Sequence, residues 1–174
     1  MLVERARDGD LDAFEEIVRA RMDGVHRLTY AILGEPADAQ DAAQETFVAA
    51  WRQLRRLRDP DQFDSWLQRI AVNSARMVHR GRRRRSVREI TTANFEASAQ
   101  AVDTAADADA LVLDRALRRL DIDQRSILVL HHLEGRSLDE LAAILGVPVG
   151  TVKSRLFTAR RALQAGIDAE TNDR

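Results

Sequence analysis

Residues 137–164 read SLDELAAILGVPVGTVKSRLFTARRALQ, a segment with a helix start, a turn and a second helix start written into it. Ser137 with Glu140 three positions on makes a capping box, in which each side chain satisfies the other's free backbone N–H. Leu138, Leu141, Ala142 and Leu145 give the helix that follows one apolar face. Gly146 supplies the turn. Pro148 stands at the start of the next helix, where its missing N–H costs little. Val152, Leu156, Ala159 and Leu163 then form an inward stripe. Small Ala142, Gly146 four positions on and Val152 six further fit the close helix approach of a helix-turn-helix. The second helix turns Thr151, Lys153, Ser154, Phe157, Thr158, Arg160 and Arg161 outward. With Arg155, these are the candidate contacts to duplex DNA: the N-terminal half enters a major groove and the later arginines meet phosphates. The bland alternative is a helical hairpin with a solvated basic face.

Charge extends the argument outward. The 174 residues hold 27 basic and 28 acidic side chains, a net charge of −1 that argues against an indiscriminate polycation. The distribution is uneven. Residues 69–88 carry Arg69, Arg76, Arg80, Arg82, Arg83, Arg84, Arg85 and Arg88 without an acid, and residues 89–114 carry six acids without a base. Residues 141–165 are again basic without an acid. Lys153 is the only lysine, so arginine's planar fork serves nearly every phosphate contact.

Periodicity and composition predict an all-α chain of two small helical domains joined by an acidic flexible linker. The first domain covers residues 1–85, the linker 86–110 and the second domain 111–174. In the first, Leu11, Phe14, Val18 and Met22 follow Asp10, a candidate N-cap. Val25, Leu28, Ala31 and Ile32 make a second segment that stops at Gly34-Glu35-Pro36. A third helix spans roughly 38–55, and a fourth roughly 62–85, about 36 Å at 1.5 Å per residue. On the fourth, Phe63, Trp66, Leu67 and Ile70 are core by spacing, and Asn73 falls on the same side. A carboxamide there either bonds to backbone or reads the edge of an unstacked base. Arg69, Arg76 and Arg80 can follow a single-strand backbone, with aromatic faces nearby for stacking. On the third helix, Asp38, Asp41, Gln44 and Glu45 crowd the first turns. They complement the helix dipole and would also make a polar docking face for a protein.

Four stretches in order, GDLDAFEEIV (9–18), DAQDAAQETFVAAW (38–51), FDSWLQRIAVNSAR (63–76) and LDELAAILGVPVGTVKSRLFTARRAL (138–163), resemble the extracytoplasmic-function type of bacterial RNA polymerase sigma factor. The resemblance implies a factor that joins core RNA polymerase and reads promoter DNA, with region 2 in the first domain and region 4 in the second. It implies that Asp38, Asp41, Gln44, Glu45 and Phe47 dock on the clamp helices of the beta-prime subunit, with further contact to the beta subunit. It assigns Trp66, Arg69, Asn73, Arg76 and Arg80 to the −10 element, Asn73 holding a flipped-out base, and the helix-turn-helix residues to the −35 element. It also implies a dedicated anti-sigma partner. Gln68 and Thr158 depart from the family pattern, which often has an aromatic and a base there.

The remaining classes are set aside on composition and spacing. With no cysteine there is no disulfide framework and no thiolate zinc site. His131, His132 and Glu134 lack the HExxH spacing of a metal hydrolase, and adjacent histidines on a helix point about 100° apart. No enzyme activity, catalytic residue, metal, cofactor, small-molecule substrate or membrane insertion is expected. MLVERARDGD lacks a signal pattern, so a cytoplasmic protein is expected. The rival within DNA binding is a stand-alone helix-turn-helix regulator, which usually needs a dimerisation helix; none is evident.

Overall fold

Asp10 accepts a hydrogen bond from the Ala13 N–H at 3.0 Å and starts a helix that runs unbroken to Leu33. The computed structural model describes residues 2–89 and 108–172. A short helix α1 (Leu2–Arg7), which the apolar spacing does not announce, precedes α2 (Leu11–Leu33). The two segments expected over 11–32 are therefore one helix. Gly24 in its middle costs about 1 kcal/mol relative to alanine. The buried face of Phe14, Ile17, Val25, Leu28 and Ile32 outweighs that, since each fully buried aliphatic side chain contributes about 1.5–3 kcal/mol. Gly34 ends the helix at φ 74°, with its N–H donating to the Tyr30 carbonyl at 2.7 Å.

Pro36 at the first helical position opens α3 (Pro36–Gln53). Two single turns, Leu54–Arg56 and Pro60–Gln62, lead into α4 (Phe63–Glu89), which runs four residues beyond the expected end at 85. Small side chains let these helices close on one another. Ala39, Ala42, Ala43 and Ala50 on α3 and Ala71 and Ala75 on α4 are all buried. The buried Thr29 hydroxyl crosses from α2 to donate to the Ala39 carbonyl at 3.0 Å.

The second module comprises α5 (Ala108–Arg119), α6 (Ile122–Leu128), α7 (Leu138–Leu145) and α8 (Val149–Asn172). Both ends of the expected linker are thus helical, through Glu89 and from Ala108; the rest of that expectation lies outside the described residues. Asp121 and Gln124 cap α6 reciprocally, and a π turn, Val129–Leu133, follows it. The expected box of Ser137 and Glu140 opens α7, Gly146 closes it at φ 67°, and α8 leaves at 99°. Gly166 lets α8 approach α5 closely: a Cβ there would lie 3.3 Å from the Ala116 Cα.

The two modules share one apolar cluster and a buried arginine. Arg125, 9% exposed, donates to four carbonyls: Leu117 from Nε at 2.9 Å, Ile32 from Nη1 at 2.9 Å, and Arg118 and Leu120 from Nη2 at 3.0 and 3.2 Å. These groups end α5 in its own module and α2 in the other. Helix C-termini present unpaired carbonyls and partial negative charge, and α2 has no basic residue in its last turn. Arg125→Met should lower the urea midpoint, with a loss of at least about 2 kcal/mol, because each buried acceptor left unpaired costs about 1–3 kcal/mol.

Candidate nucleic-acid interface

Helix α8 divides cleanly into two faces. Val152, Leu156 and Ala159 are buried, while Lys153, Ser154, Arg155, Phe157, Thr158, Arg160 and Arg161 are exposed and Thr151 is half-buried. Phe157 is 62% exposed, and the Arg161 guanidinium lies 5.8 Å from its ring centroid. An apolar ring held outward beside cations is suited to a thymine methyl flanked by phosphates. The Ser154 hydroxyl donates to the Thr151 carbonyl and that of Thr158 to the Ser154 carbonyl, both at 3.0 Å. With their hydrogens committed to the helix, both oxygens face outward as acceptors. Arg155 lies on the flank, bordering a cleft of about 410 Å³ with Asp121 and Asp123. Arg160 reaches back to the His132 ring at 3.4 Å.

The second basic face is a stripe along α4. Trp66, Arg69, Asn73, Arg76 and Arg80 recur every three or four residues, so one helix face carries all five over roughly 21 Å. Trp66 is half-buried and packs on Phe63 with centroids 5.8 Å apart. Asn73 corrects the sequence reading: it is exposed rather than set among apolar side chains. Its carbonyl accepts from Arg76 at 3.4 Å, and its remaining groups are open to solvent. Arg69 and Arg80 are exposed, while Arg76 pairs with Asp123 of α6 at 2.7 Å.

The third candidate surface, on α3, is smaller than expected. Asp41, Gln44 and Glu45 are exposed on one face. Phe47 is buried, 5% exposed, and supports the helix from beneath, so it is corrected from contact to core. The Asp38 side chain is 17% exposed and held by Arg82 at 2.9 Å, which leaves it little freedom for a partner. Val48, 42% exposed, joins the face instead. Its place seven residues after Asp41 and four after Gln44 was the signal available in the sequence.

The residues weighed for a metal hydrolase serve other contacts. His131 Nδ1 lies 2.8 Å from the Arg136 carbonyl, His132 meets Arg160, and Glu134 accepts from Gln68 at 3.0 Å. Burial and the neighbouring His131 and Arg160 hold His132 below the usual histidine range. Among the described residues no single helix is long and apolar enough to cross a membrane.

An all-helical chain with a helix-turn-helix and a second, arginine-lined helix is a modular DNA-binding protein. Residues 17–85 match the family model for Sigma-70 region 2, and residues 110–163 match that for Sigma-70, region 4. The chain is 38% identical to the ECF RNA polymerase sigma-E factor of Escherichia coli strain K12, over 94% of this chain and 91% of the relative. It is 34% identical to the RNA polymerase sigma-H factor of Pseudomonas aeruginosa, over 95% and 92% of the two chains. CnrH, solved in complex with the cytosolic domain of CnrY, superposes with a TM-score of 0.69 at 30% identity, covering 97% of this chain and 96% of that one. The sigma factor RpoE, solved in complex with the anti-sigma factor NepR from Bartonella quintana, gives 0.70 at 26% identity, covering 89% and 96%. The chain belongs to the extracytoplasmic-function group of the sigma-70 family of RNA polymerase sigma factors.

The helix-turn-helix has a pH signature of its own. The Ser137 N–H and hydroxyl, with the Arg136 guanidinium, hold the Glu140 carboxyl at about 2, below its ordinary 4.5. A depressed carboxyl stabilises the fold above the unfolded value and loses that contribution as pH falls. Glu140→Gln, which keeps the cap's geometry, should therefore be less stable than the parent at pH 7. Urea titrations should show the difference shrinking as pH falls from about 4.5 towards 2.

Proposed function

We propose that this chain reads promoter DNA through two faces at once, α8 on the −35 element as duplex and α4 on the −10 element as a separated strand. It does no chemistry of its own and works in the cytoplasm, where the core polymerase is. The observation that carries the reading is the single-face stripe of Trp66, Arg69, Asn73, Arg76 and Arg80, with Arg69, Asn73 and Arg80 exposed, in a chain that also holds a recognition helix free of acids from Val149 through Ala165. Lys153, Ser154, Phe157 and Thr158 contact base edges, while Thr151, Arg155, Arg160 and Arg161 contact phosphates. Asn73 takes a flipped base by its hydrogen-bonding edge, and the arginines track the strand.

Extruding a base costs a few kcal/mol, so capture must be offset by pocket contacts and by the polymerase. Asp41, Gln44 and Glu45, with Val48, dock on the clamp helices of the beta-prime subunit, and the factor makes further contact with the beta subunit. Two of the structural relatives were solved with a second protein bound, one of them named an anti-sigma factor. That supports control of this chain by an anti-sigma protein.

Run-off transcription with purified core polymerase tests the function: a promoter-dependent product is expected, and its absence from a promoter library would sink the reading. Tight binding to a palindrome without core would instead favour a stand-alone regulator. Phe157→Ala should weaken −35-dependent initiation by about tenfold, the equivalent of a base-edge contact of about 1–3 kcal/mol. Asn73→Ala should impair strand opening and −10 discrimination while leaving −35 binding unchanged. Equal losses in both would make Asn73 structural. Permanganate footprinting and duplex gel shifts separate the two.

A further inference from the structure

A cleft of about 260 Å³ lies where α2 ends and α3 begins, and its walls are rich in cations. Arg82 and Arg83 of α4, Arg118 of α5 and Arg125 of α6 line it, with His79 beside them. Glu35 and Asp38 are the acids of the lining, so four guanidinium groups face two carboxylates. Asp114 pairs with Arg118 at 2.8 Å from outside the lining, and a positive surplus remains after it is counted. We infer that this cleft is a binding site for a diphosphate group, held by Arg82, Arg83 and Arg118 and by the imidazole of His79. The inference goes beyond promoter reading and does not depend on it.

Most of the donors are uncommitted. Arg82 gives Nη1 to Asp38 at 2.9 Å, and its Nε and Nη2 make no hydrogen bond among the described residues. Arg118 gives Nε to Asp114 and Nη1 to Glu35, the second long at 3.4 Å, and keeps Nη2 for another acceptor. His79 is half-buried, lines the cleft and makes no hydrogen bond among the described residues. The planar fork of a guanidinium matches two phosphate oxygens at once. Arg125 adds charge rather than donors, since its nitrogens already serve four carbonyls.

The gathered charge repels itself. Arg118 lies close enough to Arg125 to oppose its protonated form. Burial, then Arg125, Arg83 and Arg82, hold the His79 imidazole below the usual histidine range, and Asp38 acts against them. His79 is therefore mostly neutral near pH 7 and offers one N–H. A diphosphate seated among these groups relieves a repulsion that the free chain bears. Size selects the ligand further. At ~30 Å³ per water the cleft holds roughly eight waters, the scale of one diphosphate and too little for a whole nucleotide. The group can arrive as free pyrophosphate or as the tail of a nucleoside 5′-diphosphate whose nucleoside projects into solvent.

Isothermal titration calorimetry of the full chain with inorganic pyrophosphate tests the site, and saturable one-to-one binding is expected. Arg83→Gln with Arg118→Gln should weaken it at least tenfold. Glu35→Gln removes a repelling carboxylate, leaves every cation in place and should tighten binding at least twofold. Arg84→Gln with Arg85→Gln removes the same charge at positions outside the cleft and should change affinity less than twofold. Equal weakening by the two double variants, or sulfate binding as tightly as pyrophosphate, would mean an adventitious ion only and overturn the site. So would the absence of binding, or the absence of tightening in Glu35→Gln, which does not depend on the double variants folding. A nucleoside 5′-diphosphate that binds at least tenfold more tightly than pyrophosphate would assign the site to a nucleotide tail. Equal or weaker binding would assign it to the free ion, and both results support the site. If short duplex DNA binds with the same response to all these variants, the cleft is a phosphodiester contact and the diphosphate assignment falls.

Discussion

The guanidinium of Arg125 holds the carbonyl ends of two helices together, and the packing of one module on the other is organised around it. Its partners are neutral backbone acceptors. The charge is met by helix-end dipoles and, at longer range, by Asp114 and Asp121. Burial pulls its acid strength up, the neighbouring Arg118 acts in the same direction, and the two aspartates oppose. Only arginine offers donors in a fixed planar fork that can reach acceptors on separate helices; a lysine ammonium would be more strongly hydrated and could not match that geometry.

Around that fixed point, each DNA-facing helix is amphipathic in a particular sense. The core side of α8 uses Val152, Leu156 and small Ala159, and the outer side is free of acids through Ala165. Self-bonded hydroxyls on Ser154 and Thr158 turn two flexible groups into fixed acceptors, which would reduce the freedom lost in the DNA contacts proposed for them. On α4 the stripe keeps its cations extended beyond a core of Leu67, Ile70 and Val72. The net charge near zero therefore hides two strongly basic faces.

The parts of the fold that follow from local chemistry were readable in advance. The Ser137–Glu140 box, the Gly146 turn and the 152–156–159 stripe are short-range rules that need no neighbours. What was missed depends on neighbours. The break expected near Gly24 is absent because tertiary burial on both sides of it outweighs a local propensity. Asn73 looked buried because spacing from Ile70 suggests a shared side, yet three residues turn the helix about 300°, roughly 60° short of a full turn, and that offset carries Asn73 off the buried stripe. Phe47 was assigned to a partner by resemblance, while its burial shows that an aromatic on an alanine-rich helix fills the core left by small residues. Nothing local distinguishes Arg125 from the other arginines, since its acceptors are backbone carbonyls as far away in sequence as Ile32.

Gly166 has a mechanical consequence. A Cβ there would lie 3.3 Å from the Ala116 Cα, so any side chain at that point forces α8 and α5 apart by a few tenths of an ångström. Because α8 is one continuous helix, such a displacement acts as a lever and re-aims the face that carries Lys153 and Phe157, more than two turns away.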